Sequence, residues 1–422
     1  MYNFNSIPRV LYLSESFANW TAPNYHHFQQ KVVAKLPGSF VYGPGIRYNS
    51  NHIQDIIPEV FGDQSPDAII CQVHGSQLLG RPMDDLVIDG YGLPSEMAVF
   101  PIGLEKVSIP KILWIGDFWQ CSQQEWDDVI LKNGFDIVFS TCCPPFGSRK
   151  VFDSFFSDKV QDRVRFVPWP HSFTPEIFKD YELAKCYDIT LLGAMWRQFY
   201  PLRNAMHDQF IKQDDLHYIN RAHPGYRFVT EGNNLVGELY ANVLNQSLIF
   251  AGCTSIYGIP FQKIYEVMAC KSVMMCDRPY GAEYLGFIDR ENYLTVTEDN
   301  FLETARHYLA HPECLAEIAC NAHRLVHSRH TSEIRADEFK DTLTSLLSGK
   351  EPSSWASLFS EVRRSDMSWT DPRDAIIKDW KIYRSPVSKP SRLIIKRLGT
   401  AVKKAFHLVK LIKPNSKTFL DQ

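Results

Sequence analysis

The sequence predicts an α/β protein made of two doubly wound domains, each a parallel sheet covered by helices. Three observations support this fold class. At 422 residues the chain exceeds one ordinary core and should divide into domains of about 150 to 200 residues. Apolar, strand-like runs alternate with helical stretches and short polar turns, which is typical of parallel sheets. The two-proline segment 167–173 interrupts this series, which then begins again.

The first half opens with a strand of the kind that begins nucleotide-binding domains, residues 9–16, and a helix at 23–36 follows it. Further strands are predicted at 39–45, 67–75, 111–119, 136–142 and 163–170, and further helices at 51–61, 122–133 and 148–156. No glycine-rich GxGxxG turn follows the first strand. A nicotinamide or flavin site of the usual type is therefore not expected.

The second half has the same architecture. Strands are predicted at 187–196, 216–220, 248–252, 272–277 and 293–299, and helices at 201–213, 235–245, 260–270, 300–311, 312–330 and 332–347. The resulting division is an N-terminal domain at 1–170, a C-terminal domain at 171–350, a crossover or packing segment at 351–388 and a basic tail at 389–422.

One helix of the second half carries two charged residues that a buried core would not contain. The helix opens at Pro260. Its apolar residues follow the i, i+3, i+4, i+7 spacing of a buried stripe, namely Phe261, Ile264, Tyr265 and Met268. Lys263 and Glu266 lie on the opposite side, where an ion pair on a solvated face would explain them. The apolar strand at 272–277 favours another explanation, because it places the helix near the carboxyl edge of a buried sheet, where ligands bind.

Two strands of the first half end in residues that could transfer protons. His74 directly follows residues 71–73 of one predicted strand, and Asp117 follows the run 112–116 of another. A histidine or aspartate at a strand end is often a cap or a turn former. Both residues are nevertheless expected at the sheet edge that such folds use for ligands. There a histidine could accept a proton from a hydroxyl, and an aspartate could do so directly or orient the histidine.

Turns of the second half could hold phosphate. Gly193 comes just after a predicted strand, and Arg197 and Arg203 lie in the turn and helix start that follow. Glycine permits close approach of the backbone, a helix N-terminus offers free N–H groups, and arginine offers forked donors to phosphate oxygens. Surface arginines beside an ordinary turn would give the same pattern. A second glycine-bearing turn, residues 221–228, contains His223, which could face the cleft.

Three segments of the second half resemble a known family. They are YDITLLGAMW followed by YPLR, LNQSLIFAG followed by GIPFQKIYEVMACKSVMMCD, and FLETARHYLAHPECLAEIACNAHRLVHSRHTSEIRADEF. In these segments the chain is similar to the spore-maturation CgeB-like family, a branch of the group 1-like glycosyltransferases with the GT-B fold. The first half matches that family in architecture and in a W-x-x-D turn, Trp114 to Asp117. The resemblance implies two Rossmann-like domains that face a cleft.

The resemblance also implies roles for several residues. In GT-B enzymes the C-terminal domain holds the nucleotide-sugar donor, and a glutamate at the place of Glu266 contacts the ribose hydroxyls. Lys263 stands where related sequences often have a basic residue that neutralises the diphosphate. The turn at Tyr257 and Gly258 would lie beneath the donor. The large retaining families have a second glutamate where this chain has Gly258, so the resemblance does not extend to their retaining mechanism.

Sugar transfer from such a donor needs stabilisation of charge on the leaving diphosphate. Arg197, Lys263 and helix N-termini could supply it without a metal, and the sequence has no convincing D-x-D metal motif. We therefore expect no metal and no cofactor besides the donor substrate. Asp117 or His74, from the opposite domain, would be the base if the reaction inverts. Trp119, Trp126 and Trp196 could stack on sugar rings, although most aromatic residues belong to the core.

Composition points to a cytoplasmic protein. The net charge of −3 gives no sign of a nucleic-acid partner. The ten cysteines form no CxxC pair or regular ladder, which is the pattern of a reducing compartment. The N-terminus lacks the features of a signal peptide, and the chain has no apolar run long enough for a membrane span. Neither secretion nor a transmembrane helix is therefore expected.

The end of the chain predicts contact with a membrane surface. Residues 389–417 contain nine lysines and arginines and no acidic residue, and their apolar residues recur at helical spacing. A basic amphipathic helix of this kind lies on an anionic bilayer. A helix docked on protein, or a basic tail without structure, would fit the same composition.

The sequence as a whole predicts a metal-independent glycosyltransferase, peripheral at the inner face of the cytoplasmic membrane. It would move a sugar from a nucleotide-diphosphate donor to a glycan acceptor in bacterial surface polysaccharide or glycoconjugate synthesis, and a membrane position would suit a lipid-linked acceptor. The alternative is a GT-B domain without turnover that binds glycans or partners at a membrane-bound assembly.

Overall fold

The computed structural model describes residues 7–81, 93, 95–222, 235–352, 355 and 358. Within the compact unit Met1–Asp374 these residues form two parallel sheets with helices packed against them. We call the first sheet and its helices the N-terminal lobe and the second sheet and its helices the C-terminal lobe. The predicted class, two doubly wound α/β domains, is confirmed. The predicted basic helix, residues 389–417, lies outside the described residues.

The sheet of the N-terminal lobe has six parallel strands in the order β2-β1-β3-β4-β5-β6. The strands are β1 (Val10–Ser14), β2 (Phe40–Tyr42), β3 (Ala68–Gln72), β4 (Lys111–Ile115), β5 (Ile137–Ser140) and β6 (Arg165–Pro168). The helices are α1 (Pro23–Ala34), α2 (Ile53–Phe61), α3 (Gly75–Leu78), α4 (Gln123–Asn133), α5 (Arg149–Phe155) and α6 (Asp158–Arg163). Every residue of β1, β4 and β5 is buried, as expected for parallel strands between layers of helices.

The sheet of the C-terminal lobe has five parallel strands in the order β11-β10-β9-β7-β8. The strands are β7 (Tyr187–Gly193), β8 (Tyr218–Ala222), β9 (Ser247–Ala251), β10 (Val273–Cys276) and β11 (Leu294–Thr295). The helices are α7 (Pro201–Phe210), α8 (Gly237–Asn245), α9 (Gln262–Ala269), α10 (Ala282–Leu285), α11 (Phe301–Leu309), α12 (Pro312–Arg329) and α13 (Ser332–Leu347). None of the helices in the described parts of the chain is both long and apolar enough to cross a membrane.

Local sequence signals set several of these boundaries. α1 begins at Pro23, whose ring fixes the φ angle that the first helical residue needs. At the start of α4, Ser122 and Glu125 exchange side-chain to backbone hydrogen bonds, which satisfies two N–H groups that a helix start leaves free. Gly134 ends that helix at φ +68°, a left-handed conformation that glycine adopts without strain.

The two connections between the lobes bond to each other. One is the segment 169–186 between β6 and β7, and the other is the junction of α12 and α13. The backbone N–H of Phe173 donates to the His330 carbonyl at 3.1 Å, and the N–H of Ser332 donates to the Phe173 carbonyl at 2.8 Å. This bridge holds both crossing segments in register at the lobe boundary.

The last helix crosses back to the N-terminal lobe. Phe339 of α13 contacts aromatic rings of that lobe at centroid distances of 5.2 to 6.4 Å, namely those of Phe28, Trp114, Phe139 and Trp169. Lys35, which directly follows α1, pairs with Asp337 at 2.9 Å. The predicted crossover segment, 351–388, lies outside the described residues except at positions 351, 352, 355 and 358.

Candidate functional site

Both sheets change strand order at one point, between β1 and β3 in the N-terminal lobe and between β7 and β9 in the C-terminal lobe. A crevice forms outside the carboxyl ends of the strands at such a point. Here the residues that end or follow all four strands, among them Glu15, His74, Gly193 and Cys253, line one cavity of about 580 Å³. The two crevices therefore face each other and share a single space, which has the size of a small-molecule site.

Asp117 stands on the N-terminal-lobe wall of this cavity. It follows β4 and precedes a short turn, Phe118–Gln120, which its side chain does not cap. Asp117 is exposed to solvent within the cleft. The surrounding walls separate it from bulk water and raise the pKa of Asp117 to about 7, because desolvation disfavours the charged form. A carboxylate that titrates near neutrality can accept a proton from a bound hydroxyl.

His74 lines the same wall, but its ring caps the start of α3. The Nδ1 atom accepts a hydrogen bond from the Ser76 backbone N–H at 3.2 Å, and the backbone N–H of His74 donates to Gln77 Oε1 at 3.1 Å. This reciprocal arrangement caps α3. Because Nδ1 is already an acceptor, only Nε2 remains for other partners.

Glu266 and Lys263 extend from α9 into the opposite wall. Glu266 is only 5% exposed, so the solvated helix face that its spacing would permit is wrong. Burial raises the pKa of Glu266 to about 7, while Lys263 opposes this shift. Burial lowers the pKa of Lys263 to about 8, while Glu266 opposes that shift in turn. The charge of each residue thus favours the ionised form of the other.

Gly193 and Arg203 complete the cationic wall. Gly193 has φ +154°, and a Cβ atom placed there would lie 3.0 Å from Arg203 Nη1. The glycine therefore leaves room for the guanidinium to lie over the end of β7. Arg203 is buried, donates to the Ala194 carbonyl at 2.8 Å and lies 4.2 Å from the Tyr200 ring centroid. These contacts fix a forked cation at the carboxyl edge of the sheet.

Arg197, which the sequence placed in the phosphate cradle, does not line the cavity. Its side chain is 67% exposed and pairs with Asp208 at 2.8 Å. The turn after β7 directs Arg197 to the surface of α7, whereas the first turn of α7 carries Arg203 inward. The position of Arg197 therefore corrects the expected set of phosphate-binding residues.

Tyr257 and Gly258 lie behind the cavity lining, which includes Ser255 and Ile259. The Tyr257 ring is buried and stacks on Trp119 of the other lobe at 4.5 Å, with an angle of 10° between the rings. Gly258 has φ +66°, so the turn there needs a residue without a side chain. His223, the remaining predicted residue, lies outside the described part of the chain.

The three tryptophans that could stack on sugars differ in exposure. Trp126 belongs to the core of the N-terminal lobe, where its indole N–H donates to the Phe118 carbonyl at 2.6 Å. Trp119 is 43% exposed and lines the cavity. Trp196 is also exposed but is not among the lining residues. Only Trp119 therefore has the position that stacking on a ligand in the cavity requires.

Asn24 is a cavity residue that the sequence analysis did not identify. It lies in the first turn of α1, directly after the first strand and its loop. Its amide donates to Glu266 Oε1 at 2.6 Å, which joins the two lobes through the carboxylate of α9. The sequence shows a polar residue at a helix start beside the edge of the sheet. It does not indicate which residue that side chain contacts.

The cavity can therefore bind an anion on one side and accept a proton on the other. Arg203 and Lys263 supply positive charge, Glu266 supplies a carboxylate for hydroxyl groups, and Asp117 faces them from the N-terminal lobe. Within the described ranges, no group of three or more His, Cys, Asp or Glu side chains could hold a metal ion.

Comparison with known proteins gives one family match and several fold matches. A family model described as glycosyl transferase-like matches residues 177–341, less than half of the chain. None of the curated proteins compared with the chain matches it. The matched region contains Gly193, Arg203, Lys263 and Glu266, the cationic wall of the cavity.

Two solved structures have the same architecture. HepE of Anabaena in complex with UDP-glucose is 12% identical, with a TM-score of 0.50, and the alignment covers 80% of this chain and 100% of that one. Sucrose-phosphate synthase from Thermosynechococcus elongatus is also 12% identical, with a TM-score of 0.50 and coverage of 81% and 100%. At this identity the likeness establishes the fold alone. The chain has the GT-B fold, two parallel-sheet α/β domains.

Proposed function

We propose that the protein is a glycosyltransferase that moves a sugar from a nucleoside diphosphate to a glycan acceptor. The observation that carries this proposal is the shared cavity, with Arg203, Lys263 and Glu266 on one wall and Asp117 on the other. The family-model match over residues 177–341 supports the reaction class. The bound UDP-glucose of HepE, a protein of the same fold, supports the choice of donor.

The donor would bind to the C-terminal lobe. Arg203 offers forked N–H donors, and Lys263 offers a compact cation, so the two together can neutralise the diphosphate as it leaves. The ionised Glu266 carboxylate can accept hydrogen bonds from two neighbouring ribose hydroxyls. Because protein cations stabilise the leaving group in this arrangement, we propose that transfer needs no metal.

The acceptor would approach from the N-terminal lobe. Asp117 lines the wall opposite the cations, where its ionised carboxylate could take the proton of the acceptor hydroxyl. The exposed indole of Trp119 lies at the same wall, and an indole face packs well against the C–H face of a sugar ring. His74 is the second candidate base, but its Nδ1 atom is occupied by the cap of α3.

A nucleotide panel tests the proposal. Melting temperatures would be measured with UDP, GDP, ADP and CDP and with their sugar derivatives, each with and without EDTA. A ligand at about a hundred times its Kd stabilises the fold by about 2.7 kcal/mol, so at least one nucleotide should raise the melting temperature. Glu266→Ala should reduce the rise. If no nucleotide raises it, the proposal is wrong; if EDTA removes it, metal independence alone is wrong.

The basic tail would place the enzyme at the inner face of the cytoplasmic membrane, with a lipid-linked acceptor in surface polysaccharide or glycoconjugate synthesis. The charge pattern of residues 389–417 supports this part of the proposal. Flotation with vesicles tests it. The full chain should float with vesicles that contain anionic lipid and not with neutral ones, whereas a chain ending at residue 388 should float with neither. Equal flotation of both chains would contradict the membrane role.

A further inference from the structure

The amide of Asn24 forms hydrogen bonds at both its nitrogen and its oxygen. Asn24 is 4% exposed. Its Nδ2 atom donates to Glu266 Oε1 at 2.6 Å, and its Oδ1 atom accepts from the Thr174 backbone N–H at 2.7 Å. Because the Thr174 N–H can only donate, the amide oxygen must face it, which fixes the NH₂ group toward the carboxylate. The orientation of the amide is therefore determined by its surroundings.

Asn24 is one of several groups that favour the ionised form of the Glu266 carboxylate: Lys263 lowers the pKa of Glu266 by its charge, and Gln262 and Tyr240 lower it by hydrogen bonding. Tyr25 of α1 and Cys270 at the end of α9 also face this carboxylate. Burial disfavours the ionised form of Glu266. A hydrogen bond donated to the carboxylate favours that form and holds one oxygen in place.

The lobes do not depend on Asn24 for their attachment. The Phe173 backbone bonds to His330 and Ser332 at the lobe boundary, and Phe339 of α13 packs among aromatic rings of the N-terminal lobe. These contacts join the lobes without involving Asn24 or Glu266. The bond from Asn24 to Glu266 is thus better placed to orient a ligand-binding group than to stabilise the fold.

We propose that Asn24 is a positioning residue for the donor: it holds the Glu266 carboxylate in the orientation in which this group binds the ribose hydroxyls. The nucleotide site is then built from both lobes. This inference rests on the proposed function. Its consequence is specificity for ribose over 2′-deoxyribose, because a carboxylate held in one orientation can accept hydrogen bonds from two hydroxyls at once.

A double-mutant cycle tests the inference by calorimetric titration. The probes are the nucleoside diphosphate among UDP, GDP, ADP and CDP that binds the unmodified protein most tightly, and its 2′-deoxy form. Asn24→Ala should weaken binding of the ribose form about tenfold and reduce the preference for it. In a Glu266→Ala background, Asn24→Ala should have no further effect, because the residue acts through the carboxylate.

Asn24→Asp separates positioning from a structural role. The aspartate keeps an oxygen for the Thr174 N–H but removes the donor to Glu266 and places a second carboxyl beside it. In two carboxyls that share a proton, the second proton is lost at a strongly raised pKa. As the pH falls, nucleotide binding should therefore be lost at a higher pH than in the unmodified protein. Asn51→Ala is the matched control: Asn51 is a buried asparagine of the same lobe that bonds to the Glu96 and Val99 carbonyls.

The outcomes separate the two proposals. If the unmodified protein binds none of the four nucleotides, the proposed function fails and this inference fails with it. If it binds one of them but the Asn24 and Glu266 effects add, or Asn24→Asp leaves the pH profile unchanged, this inference alone is overturned. A loss of affinity in Asn51→Ala equal to that in Asn24→Ala would also overturn it, since any buried asparagine would then have the same effect.

Discussion

Arg197, in the turn after β7, and Arg203, in the first turn of α7, differ in burial. Arg203 is buried at the cavity, with its guanidinium over Gly193, while Arg197 is exposed and paired with Asp208. Of these two arginines, Arg203 is therefore the one that can form charge-assisted hydrogen bonds with a diphosphate in the cavity.

This difference predicts the effect of removing each arginine. Arg203→Ala should weaken binding of a nucleoside diphosphate by about tenfold or more, and it should leave binding of the parent nucleoside unchanged. Arg197→Ala should alter neither affinity by more than about twofold, because an exposed ion pair contributes little. Calorimetric titration of both variants measures this. Equal losses for the two arginines would contradict the assignment of the phosphate wall.

At the scale of secondary structure, the sequence predicts most of the strands and helices that position the site residues. The strands of both sheets follow from near-continuous apolar runs, and polar residues that follow such runs must lie at the carboxyl edge. Asp117, His74 and Gly193 were found in this way, and the structure places all three at the cavity. The helical spacing around Lys263 and Glu266 likewise located α9, although the helix begins at Gln262 rather than at Pro260.

The contacts between elements could not be predicted. Spacing places Arg197 and Arg203 in the same turn and helix start, but the φ angle of Gly193 and the packing of α7 decide which one points inward. Asn24 and Glu266 lie 242 positions apart, and no periodicity relates residues at that distance. The amphipathic pattern of α13 similarly indicates a buried face without indicating which lobe it contacts. That helix was expected in the C-terminal domain, and it packs on the N-terminal lobe.

At the scale of the whole molecule, one cavity takes its chemistry from both lobes. The cations and Glu266 come from the C-terminal lobe, while Asp117, Asn24 and Trp119 come from the N-terminal lobe. The stacked rings of Trp119 and Tyr257 join the lobes near the cavity. Donor binding draws on the C-terminal lobe and on Asn24, whereas transfer also needs Asp117, so binding and turnover should respond differently to a change at Asp117.

Donor turnover in the Asp117→Asn variant tests this account most directly. Release of the nucleoside diphosphate from its sugar derivative would be measured at saturating donor across pH 5 to 9, with Asp127→Asn as a control outside the cavity. Because the pKa of Asp117 is raised to about 7 and the base must be ionised, turnover should rise as the pH increases through that value. Asp117→Asn should lose about 10² to 10⁴ of the rate while it still binds the nucleotide. Undiminished turnover in Asp117→Asn, or nucleotide binding without turnover in the unmodified protein, would contradict transfer between the two lobes.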